Sequence, residues 1–188
     1  MDFKLYDTDW LLKKFKAGER LKYVYFWGHT SYPKGTVTKA CLSQWWPSSF
    51  DVQGKRYFTA EHWMMAEKAR LFGAEAIEKK ILQVEEPGAA KALGRKVENF
   101  DPVVWDRKKY KIVLEGNFHK FSQNTELGTF LINTGQRVLV EASPVDAVWG
   151  IGLAADNPRC EDPSKWPGTN LLGYALMSAR NLLEANTT

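Results

Sequence analysis

The stretch Tyr57–Phe72, YFTAEHWMMAEKARLF, is where strand-like alternation gives way to helical periodicity. At about 100° per residue, Glu61, Met64, Met65, Lys68, Leu71 and Phe72 fall on one side of such a helix. Trp63, Ala66, Glu67 and Arg70 fall on the other. The first face is the one that should be buried, yet it carries a glutamate and a lysine. An unpaired buried ion costs several kcal/mol, so Glu61 and Lys68 either pair or point into a cavity. Two structural accounts compete with a site. Thr59 as N-cap would put Glu61 in the first turn, where the helix dipole favours a carboxylate. Lys68 could bury its stem and carry its amine to the rim. The helix alone leaves these alternatives open.

Upstream of this helix, a short helix around Thr8 to Ala17, ended by Gly18, leads into the strand-like run LKYVYFWG. GTVTKACL reads as a second strand, and FDVQGKRYF as a hairpin turning at Gln53 and Gly54. Downstream, helical periodicity returns in AEAIEKKILQV, in PGAAKALGRKV with Pro87 in a first turn, and over Pro102 to about Gln123. RVLVEAS reads as one more strand. Asp146 to Pro167 is a Gly- and Pro-rich loop, and a last helix begins near Asn170. Gly116, in a stripe with Trp105, Lys109 and Ile112, would let another element pack close. Gly150 and Gly152 flank Ile151 directly after Trp149, which suits a tight turn or a close approach to a ligand.

A chain of 188 residues, 44% hydrophobic and 26% charged, is long enough for one sizeable core. No apolar run reaches the length of a membrane span, and the acidic N-terminus lacks a signal-type apolar region, so a cytosolic protein is expected. Cys41 and Cys160 lie far apart and read as plain thiols. His29, His62 and His119 are scattered, with no H-E-x-x-H spacing, so neither a metal site nor a cofactor is expected. The net charge of +4 comes from basic residues interleaved with acids, a balance that suits a phosphate-bearing small molecule as well as nucleic acid.

LSQWWPSSF, the Tyr57–Phe72 stretch, AKALGR, Trp105, KFSQN, LVEAS, DAVWGIGL and GTNLLGYALMSAR follow one another from about Phe26 to Arg180. This order resembles the NADAR family, also called YbiA-like. The resemblance implies an α+β fold, a single compact and mostly helical domain with a small sheet over residues 22–188, preceded by a helical extension, 1–21. It also implies hydrolysis of an N-glycosidic bond. Two substrate types go with the family: phosphorylated ribosylamino-pyrimidines of riboflavin synthesis, and ADP-ribose attached to a base or to NAD-derived compounds. The implied partners are therefore small ribosyl or ADP-ribosyl molecules, or ADP-ribosylated nucleic acid.

Breaking a ribosyl C1–N bond develops positive charge on the sugar, so a carboxylate near C1 lowers the barrier and an acid must assist the departing nitrogen. Of the acids in the resemblance motifs, Glu61 and Asp146 are assigned this work. Burial would raise the pKa of Glu61 and a nearby cation would lower it, and the sequence does not decide which wins. Lys68 lies seven residues on, roughly 10 Å along the axis, leaving room for a sugar between the two. Lys68 serves either as a cation beside a ribose or phosphate, or as the amine that attacks C1 to form a Schiff base. Arg95 is the candidate phosphate clamp, its alternative being a surface arginine. Trp105 and Trp149 would stack on base or ribose, Gly150 and Gly152 would approach the ligand, and Asn170 would cap the last helix and donate to it. Trp46, Trp63 and Trp166 read as core or surface. Two rival classes remain at this level. One is a module that binds ADP-ribose or NAD without cleaving it; the other is a nucleic-acid binder, suggested by eight tryptophans and a pI near 9.0.

Overall fold

The computed structural model describes residues 5–30, 33 and 35–187. Asp7 caps the first helix, α1 (Thr8–Lys16), by accepting from the Trp10 N–H at 2.7 Å. Gly18 leaves it at φ 74°. Leu11 is fully buried in the common core, Tyr6 accepts a hydrogen bond from Asn181, and the helix contacts the segment Pro163–Lys165, so this opening segment packs against the last helix and the loop before it. Strand β1 (Tyr23–Phe26) follows.

GTVTKACL is not a strand. Thr38 Oγ1 accepts from the Ala40 N–H and opens a short 3-10 turn, Lys39–Leu42. Its carbonyl groups find a partner other than a neighbouring strand: the Lys120 ammonium, fully buried, donates to the Cys41 and Ser43 oxygens at 2.6 and 2.8 Å. Strands β2 (Phe50–Val52) and β3 (Lys55–Tyr57) then form the expected antiparallel hairpin. Gln53 and Gly54 turn it with φ of 50° and 73°.

Five helices follow. They are α2 (Ala60–Leu71), α3 (Glu75–Gln83), α4 (Pro87–Gly94), α5 (Pro102–Gln123) and α6 (Thr125–Asn133). The periodicity of α6 was masked by its position directly after α5, one residue away. Strand β4 (Val138–Glu141) returns to pair with β1 in parallel, Tyr23 opposite Val138 and Phe26 opposite Glu141. A loop with two 3-10 turns leads to α7 (Leu171–Thr187), which packs on β4 and α5. The architecture is α+β and mostly helical, its sheet consisting of two separate two-stranded pieces. Among the described residues no helix is long and apolar enough to cross a membrane.

Helix α2 is the centre of this arrangement, enclosed by α3, α4 and α5. Trp63 and Ala66, assigned from periodicity to the outer face, are buried too. The reason is Gly116 on α5: a Cβ there would lie 2.3 Å from the Trp63 ring, so only glycine lets the indole in, and Trp63 Nε1 donates to the Ile112 oxygen at 2.8 Å. Over its first two turns, residues 60–66, the helix is buried on every side and has no polar face there for sequence periodicity to reveal.

Lys120 ties α5 to the segment leading into α2, and burial pushes its pKa down to about 7. Lys120→Met should cost about 2–4 kcal/mol, because two buried carbonyls lose a charged donor. The pH dependence has a definite sign. A lysine whose folded pKa is depressed below 10.5 makes stability rise with pH from about 7 upward. Urea denaturation across pH 6–10 reads both effects, and the rise should be missing in Lys120→Met.

Candidate active site

The first turn of α2 is held from the side. The Glu61 N–H donates to the Gln44 oxygen at 3.0 Å, while Asn117 of α5 donates to the Gln44 side chain at 2.9 Å. Thr59 is the N-cap, as expected. This docking places Trp45 against Glu61, where it gives the carboxylate a hydrogen bond. Glu61 is only 2% exposed, and its Oε1 has no partner among the described residues. Burial pushes its pKa up to about 7; Lys91, the Trp45 bond and Arg95 pull the other way, and Asp146 adds to the rise.

Glu61 faces a cavity of about 210 Å³. Lys68, two turns along α2, faces the same cavity, and the two charges form no ion pair with each other. The Lys68 amine lies 4.2 Å from the centre of the Phe100 ring and 5.9 Å from that of Trp105. Burial and then Arg95 lower its pKa. Arg95 reaches the cavity from the C-cap of α4, whose approach depends on Gly94: a Cβ there would lie 2.2 Å from the Met65 sulfur. The G-R pair thus brings two helices into contact and sets a guanidinium beside Lys68. Trp105, in the first turn of α5, and Trp149 complete the aromatic part of the lining.

Asp146 lines the cavity from the loop after β4. One of its oxygens is committed, accepting from the Val148 and Trp149 N–H groups at 2.8 Å each, an Asx turn that also fixes Trp149.

Gly150, Gly152 and Asn170, expected to meet the ligand, are not among the residues that line this cavity. A Cβ on Gly150 would lie 2.8 Å from the Glu141 oxygen, and Gly152, at φ 69°, would meet Pro167 at 2.9 Å. Gly150 lets backbone approach backbone, and Gly152 leaves room for the Pro167 ring. Asn170 is fully buried at φ 53° and spends its side chain on β4, accepting from the Glu141 N–H at 3.0 Å and donating to the Leu139 oxygen at 2.9 Å. Its burial keeps it out of the cavity.

Sequence reasoning missed Glu141, Lys91 and Trp45. Glu141 ends β4 and turns its side chain into the cavity, with Oε2 buried and without a partner among the described residues. Burial raises its pKa to about 8, reinforced by Asp146 and Glu61 and opposed by Lys91. A signal existed in LVEAS, where a carboxylate directly follows three apolar strand residues. Lys91 sits 5.7 Å from the centre of the Trp45 ring, within electrostatic reach of both glutamates. The site therefore gathers three carboxylates from α2, β4 and the following loop, and three cations from α2 and α4, around one sugar-sized space.

The NADAR domain profile matches residues 25–184. N-glycosidase R617 of Acanthamoeba polyphaga mimivirus is 45% identical over 164 residues, 85% of this chain and 95% of that protein. N-glycosidase YbiA of Escherichia coli K12 is 32% identical over 138 residues, 73% of this chain and 76% of that protein. The solved NMR structure of E. coli YbiA superposes with a TM-score of 0.70 at 26% identity, covering 88% of this chain and 87% of that one. With the profile spanning most of its length and a relative of that identity covering nearly all of R617, the chain belongs to the NADAR domain family.

Proposed function

We propose that this chain hydrolyses the C1–N bond of a ribosyl N-glycoside carrying phosphate, with Lys68 as the attacking amine and Glu61 as the anion facing the sugar. The chain is a glycosyl hydrolase of the N-glycosidase class, as its relatives R617 and YbiA are named. The observation that carries the finer reading is that Glu61 and Lys68 face one cavity without neutralising each other.

At about 210 Å³ the cavity is smaller than the roughly 300–1,000 Å³ that houses a drug-sized ligand, so it suits the ribosyl group and its attached phosphate. The base then lies at the rim against Trp105 and Trp149, and the exposed Arg95 meets the phosphate. Both substrate types fit this division: a phosphorylated ribosylamino-pyrimidine, and ADP-ribose on guanine with its adenosine end outside. A lysine amine with a depressed pKa and no carboxylate partner among the described residues is free to attack C1. As it does so, positive charge spreads over the sugar, and a carboxylate at Glu61 stabilises it in a site where water screens little. Trp45 and Lys91 beside Glu61 favour its charged form, which is the form this step needs.

Incubation with a ribosylamino-pyrimidine phosphate and, separately, with ADP-ribosylated guanine tests the reading by following the released base. Release from one of the two is the expected result. Release from neither, with tight ADP-ribose binding retained, would instead make the chain a binding module.

A further inference from the structure

Glu141 has no role in the steps so far, yet the fold goes to unusual lengths to fix it. Its N–H donates to the Asn170 side-chain oxygen at 3.0 Å, and its C=O accepts from the Ile151 N–H at 2.9 Å. Gly150 is glycine because a Cβ would press on that same oxygen, and Gly173 because one would lie 2.1 Å from the Leu139 oxygen. The glycines and asparagine of the D-x-x-W-G and N-x-x-G segments thus clamp the end of β4 from two sides. The residue at that end turns a carboxyl group into the cavity and leaves one buried oxygen without a partner among the described residues. A clamp of this kind suits a side chain whose position matters, since a rigid strand end holds a reacting group more closely than a loop does.

The three carboxylates of the cavity differ in what their oxygens already do. Asp146 has one oxygen tied to two N–H groups. Glu61 takes a hydrogen bond from Trp45 and has the cations Lys91 and Arg95 as neighbours, with Lys68 further along the same helix. Glu141 faces Asp146 from the loop and Glu61 from α2, with Lys91 of α4 as the cation that opposes them. Burial and these two carboxylates bias it toward the neutral form, with fewer cations opposing them than at Glu61. Two carboxyl groups set apart by their environments are the usual basis for dividing acid and anion roles.

We propose that Glu141 is the proton donor to the leaving nitrogen, touching the substrate at the scissile bond in the cavity it lines. The proposal rests on the N-glycosidase reading above. As the Lys68 amine bonds to C1, the C1–N electron pair departs on nitrogen and takes the Glu141 proton. A proton then passes from Nζ to the ring oxygen as the C1–O bond opens, leaving a C1=Nζ Schiff base. Water adds to C1, one of its protons returning to Glu141 and the other going to Nζ as the C1–Nζ pair returns to Lys68, and the freed aldehyde sugar closes its ring again. No oxidant or reductant enters.

The test compares wild type with Glu141→Gln and Glu141→Asp, using whichever ribosyl substrate releases its base. Turnover by wild type keeps the two ideas separate: no release at all counts against the N-glycosidase reading, whatever Glu141 does. With turnover established, Glu141→Gln should lose on the order of 100-fold in kcat with KM changed little, since general acids contribute about that much or more. Wild-type kcat should fall on the alkaline side near pH 8, where Glu141 loses its proton, and this limb should be absent from the residual activity of Glu141→Gln. Glu141→Asp, which keeps an acid in a shortened form, should recover part of the loss. A Glu141→Gln variant with wild-type kcat would overturn the proposal. So would a wild-type profile that stays flat to pH 9.5, a result that needs no variant to fold.

Discussion

Lys68→Arg is expected to lower kcat by on the order of 10⁴-fold or more, because a guanidinium keeps the positive charge but offers no nucleophilic amine. Substrate affinity should stay within a few-fold, since the charge beside Arg95 is retained. The two results together separate a nucleophile from a mere cation. Lys68 is suited to attack by its setting: half-buried, without a carboxylate partner among the described residues, and with its pKa lowered by burial and by Arg95. The first factor withholds solvation from the ammonium, and the second is repulsion between like charges. Borohydride added during turnover should trap a ribosyl group on Lys68, visible as a mass increment on the peptide that carries it. A Lys68→Arg variant that still turns over within tenfold of wild type, with no trapped adduct, would reduce Lys68 to a positioning cation.

Much of the fold was legible because most of its elements carry local signals. Pro102 and Gln123 bound α5 as read, Thr59 caps α2, and Gln53-Gly54 turns the hairpin with both residues at positive φ. The failures share a cause, which is that distant residues decide the local structure. Thr36 to Leu42 has strand-forming composition, but its carbonyl groups are taken by Lys120, some eighty positions later. Trp63 looked outward-facing because nothing in α2 announces that Gly116 leaves a slot for it on α5.

The site divides in the same way. Glu61, Lys68, Asp146, Arg95, Trp105 and Trp149 all line one cavity, and the oddity that pointed to the first two was visible in the sequence: charges on a face that ought to be apolar. Gly150, Gly152 and Asn170 carried a signal of equal strength that concerned the backbone. A glycine required by a close approach looks the same whether the neighbour is a ligand or another strand, and here the neighbours are the Glu141 oxygen and Pro167. Glu141 was overlooked because a glutamate at a strand end is ordinary on its own. Only the parallel pairing of β1 with β4 and the docking of α7 show that this end opens onto the cavity formed by α2 and α4.

Glu61→Gln should lower kcat by on the order of 100-fold or more while leaving substrate binding nearly unchanged, since the amide keeps the shape and removes the charge that the developing cation needs. Wild-type activity should fall as pH drops below about 7, the value to which burial lifts the Glu61 carboxyl, and the variant should lack that acidic limb. Stability should move the opposite way. A carboxyl whose folded pKa lies above its unfolded one, here about 7 against 4.5, holds its proton more tightly in the folded state. Its contribution is fully present below the unfolded pKa and is lost as pH rises through the folded one, a change on the order of a few kcal/mol. At pH 8 the Glu61→Gln variant, which never has to bury that charge, should therefore melt higher than wild type although it is far less active. The helix-dipole account makes the reverse forecast: a glutamate present only for the first turn of α2 would leave kcat alone when replaced and lower the melting temperature. Thermal melts and steady-state kinetics at pH 6 and pH 8 on the same two proteins decide between them. A variant that is both less stable and fully active would leave Glu61 with the helix, and the charge on the sugar would need another carboxylate from the cavity.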